Sequence, residues 1–186
     1  MYYKKILAAA LTVSCIGGIV PANSVQAASL KIRYSGKTRY YKGKQLHVSY
    51  ANKNLSSKYV GIQINKVNMI PYYDYLVKQG PKVKRTYSKS SGKLILKNGD
   101  DTLTAYVGKR TYYLNGVKKT FSVAPTKVKY YKTKKTIILI PANAIVKGLG
   151  LNYKYSSSSK RIYITQPVIP SDSTTQVQTQ PSGSVQ

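Results

Sequence analysis

The chain has 186 residues, enough for one domain of ordinary size or two small ones, and 42% of them are apolar, enough to build a core. Its 31 Lys and Arg stand against 4 acids, all Asp, for a formal net charge of +27, and such self-repulsion points to an anionic partner. With no Glu, one His and one Cys, the composition leaves little room for carboxylate-pair, thiol or metal-cluster chemistry.

The first element is "MYYKK" followed by "ILAAALTVSCIGGIV", a basic start and an apolar run of signal-peptide length, with small residues Val25 and Ala27 ahead of a cleavage site expected after Ala27. Residues 1–27 are therefore expected to be a signal peptide. The apolar run is shorter than the roughly 20 residues of a membrane span, and Gly17, Gly18 and Pro21 interrupt it. Lipidation of Cys15 is the competing fate, although Thr12 stands where a lipoprotein signal usually has an aliphatic residue. Removing the segment takes away the only cysteine, so no disulfide is expected and the core must suffice.

Next, "LKIRYSGKTRYYKGKQLHVSY" reads as a basic hairpin pivoting near Gly43, and "VGIQINKVNMI" as one strand with Val60, Ile62 and Ile64 on one face. From Met69 the pattern changes to an apolar residue, Ile, Pro71, and Gly80 nine positions later; from Leu139 it returns with Pro141 and Gly150. Ala142, Ile145, Val146 and Leu149 have helical spacing, Pro141 suits the first helical position, and Gly150 can adopt the left-handed conformation that ends a helix. After each Gly come a lysine-bearing strand, a serine-rich turn and an apolar strand, Leu94 to Leu96 or Ile162 to Ile164. The unit occurs twice, at about 58–97 and 126–165, and implies a single domain with pseudo-repeated halves or two small lobes sharing a core. Between the copies Leu103, Ala105 and Val107 alternate with polar residues, while Asn98-Gly99 and Asn115-Gly116 are hairpin signals. In "TKVKYYKTKK" Val128 and Tyr130 share one strand face, and Lys127, Lys129 and Tyr131 the other. The expected class is α+β, a largely antiparallel twisted sheet with two short helices. Residues 166–186, rich in Ser, Thr, Gln and Pro without Lys or Arg, read as a disordered tail.

The motifs "INKVNMIP" with Gly80, "YVGKRTYYLNGVKKTF" and "TIILIPANAIVKGLGLNYKY" together resemble the copper amine oxidase N-terminal domain family. These are also called stalk domains and are common in secreted proteins of Gram-positive bacteria. The resemblance covers about residues 31–165 of an expected domain at 28–165, and implies a twisted antiparallel sheet wrapped around helix. Tyr153 and Tyr155 stand where the family commonly has an aromatic, often Trp.

The resemblance does not bring copper chemistry. The oxidase's catalysis resides in a different domain, with three His ligands and a Tyr-derived quinone, whereas this chain has only His47 and its sole Asn-Tyr precedes Lys154. A Ser, His and Asp set would have to use His47 with Asp74, Asp100 or Asp101, which read as helix-start and turn residues. The expectation is a non-enzyme without cofactors or metals.

What remains is a basic, tyrosine-laced surface: 19 Tyr against one Phe. In "TRYYKGK" and "KVKYYKTKK" the candidate polyanion-binding residues are Arg39, Tyr40, Tyr41, Lys42, Lys44, Lys127, Lys129, Tyr131, Lys132, Lys134 and Lys135. Lysine would neutralise phosphates or carboxylates and tyrosine would pack on sugar or base faces. The competing account has the same Lys protecting sheet edges and the Tyr forming cross-strand pairs. Lys outnumbers Arg 26 to 5, which suits diffuse, salt-sensitive adhesion more than bidentate recognition. The expected partners are anionic wall polymers of the teichoic-acid kind, at the cell wall of a secreting cell. The alternatives are an extracellular nucleic-acid or matrix polyanion binder and an accessory subunit that docks a protein.

Overall fold

A computed structural model describes residues 29–43 and 45–168. The expected signal segment with Cys15, Lys44 and most of the expected tail lie outside the described residues.

The chain starts with a hairpin, β1 (Leu30–Tyr34) and β2 (Lys37–Tyr41), turning at Ser35-Gly36 with φ of 49° and 73°. Two left-handed central residues match the twist of the flanking strands, which corrects the pivot expected at Gly43. A second hairpin, β3 (His47–Tyr50) and β4 (Lys53–Leu55), turns at Ala51-Asn52. The stretch expected to be one strand is a third hairpin, β5 (Ile62–Ile64) and β6 (Val67–Pro71), because Asn65 and Lys66 are both left-handed, at 49° and 64°. Ile62 and Ile64 do share a buried face.

A seven-residue π-helical segment, Tyr73–Gln79, leads to β7 (Lys84–Tyr87), and the meander β8 (Lys93–Asn98), β9 (Asp101–Tyr106), β10 (Thr111–Leu114) and β11 (Val117–Thr120) follows. Then come β12 (Thr126–Tyr130), β13 (Lys135–Pro141), α1 (Ala142–Gly148), β14 (Asn152–Ser156) and β15 (Arg161–Thr165). Pro141 is the last residue of β13 and caps α1 from outside, at φ −68° and ψ 106°, instead of opening the helix. It stands beyond Leu139, the last residue of β13 to pair with β12, so its missing N–H costs that pairing nothing. Gly150 is left-handed as expected, at 69°. Gly80, at φ −80°, is needed for a different reason: a β-carbon there would collide with the Tyr75 carbonyl.

Three sheets result, ordered β2-β1-β12-β13-β6-β5, β11-β10-β9-β8-β7 and β14-β15-β3-β4. Among the described residues every pairing is antiparallel except that of β15 with β3. The six-stranded sheet curls around Ile32, Ile62, Met69, Val128 and Leu139 until its edges meet, where Tyr41 on β2 bonds to Gln63 on β5. A larger core, including Leu94, Leu103, Ile145 and Ile162, lies among the other two sheets and the helical segments. β6 and β13 serve both cores: Met69 and Leu139 point into the first, Ile70 and Ile140 into the second. This double burial explains the unbroken apolar run "IILI". The segments Met69–Pro71 and Leu139–Pro141 lie antiparallel with Ile70 opposite Ile140, and each leads into helix and then a hairpin.

Candidate polyanion-binding face

Period-two alternation divides the first three strands of the curled sheet. On β1 Ile32 is fully buried while Lys31 and Arg33 are exposed on the outer side; on β12 Val128 and Tyr130 are buried while Lys127 and Lys129 are exposed. Register then sets the outer side chains in rows. Lys31 stands opposite Tyr40 and accepts a backbone hydrogen bond from Tyr131 at 3.1 Å; Arg33 stands opposite Thr38 and Lys129, and Lys129 opposite Thr136. Lys127, two residues further along β12, stands opposite Ile138. Arg33 and Lys129 are thus like charges placed face to face across a ladder, an unfavourable pairing that a bound anion would relieve.

At the Lys127 end the face descends into an open cleft of about 640 Å³, walled on its far side by the turn Lys89–Gly92. Arg33, Lys89, Lys127 and Lys129 line it, together with the hydroxyl-bearing Ser90 and Ser91, and among the described residues no carboxylate does. The turn is organised by its own hydroxyls, Ser88 and Ser90 lying 3.0 Å apart through their Oγ atoms.

The tyrosines of the face hold its lysines. Lys31 Nζ lies 5.5 Å from the Tyr40 ring centre and 5.0 Å from that of Tyr131, and Lys129 Nζ lies 5.4 Å from the Tyr131 ring. The Tyr131 hydroxyl is 3.0 Å from that of Thr38. This hydrogen bond, and then the charges of Lys129, Arg33 and Lys31, hold the Tyr131 phenol below its ordinary pKa. Deeper tyrosines shift the other way: burial raises Tyr41, Tyr72, Tyr130 and Tyr153, and pushes Tyr75 up to about 12.

Of the residues singled out from sequence, Tyr40, Lys127, Lys129 and Tyr131 come together on this face. Arg39 and Tyr41 point to its opposite side, since they stand across from Ile32 and Leu30. There the Arg39 guanidinium packs 5.0 Å from the Tyr34 ring centre. Lys42 is exposed beyond β2, Lys132 and Lys134 are exposed in the β12–β13 turn, and Lys135 opens β13 opposite Tyr130. Lys31, Arg33, Lys89 and Thr136 were missed. The alternation of "LKIRY" was the signal for the first two, but Lys89 reaches the cleft only through tertiary packing.

The three described acids lie elsewhere: Asp74 accepts a hydrogen bond from the Ser57 hydroxyl, Asp101 one from Asn115, and Asp100 is exposed in the β8–β9 turn. His47 is exposed on β3. Among the described residues no group of three His, Cys, Asp or Glu could hold a metal ion, so the residues present do not fit a copper site. No helix among them is long and apolar enough to cross a membrane.

The fold and this face define a basic, β-rich domain with two short helical segments. A family model for the copper amine oxidase N-terminal domain matches residues 50–164, and the chain belongs to that family. In the oxidase this domain is a non-catalytic accessory unit. The match begins after β1 and β2, so the hairpin carrying Lys31, Arg33 and Tyr40 precedes the matched span. No curated protein and no solved structure matches the chain.

Proposed function

We propose that the protein is a secreted, non-enzymatic module of a Gram-positive cell envelope, held on anionic wall polymers of the teichoic-acid kind by the outer face of β1, β2 and β12. The observation that carries this reading is the facing pair Arg33 and Lys129, flanked by Lys31 and Lys127, on a surface to which none of the described residues brings a carboxylate. Folding there works against charge repulsion, which a polyanion would offset. Secretion is supported by the basic start and apolar run ahead of Ala27, and the accessory role by family membership. A pseudo-repeat of the halves 58–97 and 126–165 is supported by the antiparallel apposition of Met69–Pro71 and Leu139–Pro141.

Salt-graded washing of intact cells tests the reading, because screening shortens to about 3 Å at 1 M salt. Release by salt alone is expected; release only by detergent would point to lipidation at Cys15 and overturn electrostatic retention. A pull-down at equal salt should favour teichoic acid over neutral peptidoglycan, and equal affinity for the two would sink the proposal.

A further inference from the structure

We propose that the outer face of β1 and β12 is a track for one extended polyol-phosphate chain, which lies along the strands and seats successive phosphodiesters on successive rows of cations, ending in the cleft beside Lys89. This rests on the teichoic-acid reading and adds to it the polymer's alignment along the strands and its register.

Spacing is the first argument. The rows Lys31, then Arg33 with Lys129, then Lys127 follow one another two residues at a time, about 7 Å along a strand. Neighbouring phosphates of an extended phosphodiester chain are separated by a comparable distance, so one chain can meet every row without bending. The middle row carries two facing cations, making it the strongest single seat for an anion. The Lys127 row opens into the cleft, where Lys89, Ser90 and Ser91 stand across from Arg33 and Lys129 and enclose the next phosphate from two sides.

The aromatic rings favour one phosphodiester polymer over another. Sequence-tolerant binding of single-stranded nucleic acid depends on open ring faces for the bases. Here the rings of Tyr40 and Tyr131 are engaged by the Lys31 and Lys129 ammonium groups, and the Tyr131 hydroxyl is held by Thr38. Tyr131 is committed to positioning cations, whereas Tyr40, 59% exposed, keeps ring surface open, one platform where successive bases would need several. A polymer without bases asks nothing more of these rings, and the exposed Thr136 with Ser90 and Ser91 offers hydroxyls to a polyol. Lysine suits such a chain, because a point charge tolerates variation in the geometry of a flexible polyol where a bidentate fork would not.

The test titrates the purified protein with glycerol-phosphate oligomers of increasing length. Affinity is expected to rise until roughly four phosphates are engaged and then level off, with log K falling against log salt at a slope of about −3. Lys31→Gln, Lys127→Gln and the double variant Arg33→Gln/Lys129→Gln, which each strip one row of its strand cations, should each reduce that slope by about 0.7. The double variant Lys84→Gln/Lys97→Gln removes another facing pair of exposed lysines, on β7 and β8, and should leave it unchanged. Equal reduction by that control pair would overturn the track while leaving diffuse polyanion binding in place. Failure of any oligomer to bind at low salt would overturn both readings. An oligothymidylate of matched phosphate count binding as tightly would overturn the choice of polymer.

Discussion

The phenolic oxygen of Tyr41 accepts the backbone N–H of Gln63 at 2.9 Å, so a side chain on one edge of the six-stranded sheet satisfies a main-chain donor on the other. A sheet edge exposes unpaired donors, and curling this one until its edges meet covers the inner cluster as well. Tyr41→Phe keeps the ring and removes the acceptor. It should cost about 1 kcal/mol of stability, the usual net worth of such a hydrogen bond. Amide exchange at Gln63 should accelerate more than at Val128 on the central strand β12, and unchanged protection at Gln63 would show that the edges are held by packing alone.

Tyrosine burial sets an alkaline limit on stability. The Tyr75 phenol is pushed up to about 12 and Tyr130 is raised as well, both chiefly by burial. Unfolded phenols lose their protons near pH 10 while the buried ones keep theirs, so above that pH the unfolded state binds fewer protons. This part of the stability is intact below pH 10 and is lost as pH rises toward 12. Tyr131 has the opposite sign: its lowered value means that its anion is favoured in the folded state. Following phenolate absorbance against pH should show an early phase below pH 10, absent in Tyr131→Phe, and a late cooperative phase coincident with loss of tertiary structure. A single phase at pH 10 would contradict both shifts.

Legibility in the sequence followed the range of the interactions. The apolar positions of α1 and the alternation of β9 and β12 were readable because period alone decides which side is buried: Ala142, Ile145, Val146 and Leu149 are all fully buried. The Asn115-Gly116 turn was readable because its residues favour the left-handed conformation they adopt. Ala51-Asn52 and Asn65-Lys66 were not, since Ala and Lys are poor left-handed formers and tertiary pairing overrides them. Nor could a local pattern reveal the parallel pairing of β3 with β15, whose partners Val48 and Ile162 lie far apart in the chain. The basic face was half legible. Lys127 and Lys129 stood out in a charged run, but the side on which Arg39 and Tyr41 emerge depends on a register set by Ser35-Gly36, not Gly43.

Ala51 is a place where the chain carries removable strain. It sits in the β3–β4 turn at φ 46° and is exposed, and its N–H donates to the Ile164 carbonyl at 3.1 Å. A left-handed residue with a β-carbon costs roughly 1–2 kcal/mol relative to glycine, part of which returns as the greater entropy of glycine in the unfolded chain. Ala51→Gly keeps the hydrogen bond and should raise stability by about 0.5–1 kcal/mol. Denaturant unfolding should show a higher midpoint at unchanged slope, and a lower midpoint would mean that the turn relaxes around alanine.

Gly36 and Gly80 make a paired test of why a glycine is needed. Gly36 has φ of 73°, yet a β-carbon there meets nothing within 4 Å. Gly80 has an ordinary negative φ, but a β-carbon there would strike the Tyr75 carbonyl oxygen, a backbone atom inside the π-helical segment that cannot rotate away. Gly36→Ala therefore meets only the conformational penalty, about 0.5–1 kcal/mol once glycine's unfolded-state entropy is counted. Gly80→Ala must displace main chain packed against the buried Tyr75 and Leu76, and should cost on the order of 3 kcal/mol. Thermal unfolding of the two variants should rank them in that order, with amide exchange in Gly80→Ala accelerated around Tyr75. The reverse ranking would mean that the strand after the segment shifts freely, and that Tyr73–Gln79 is held by its buried side chains and not by the close approach at Gly80.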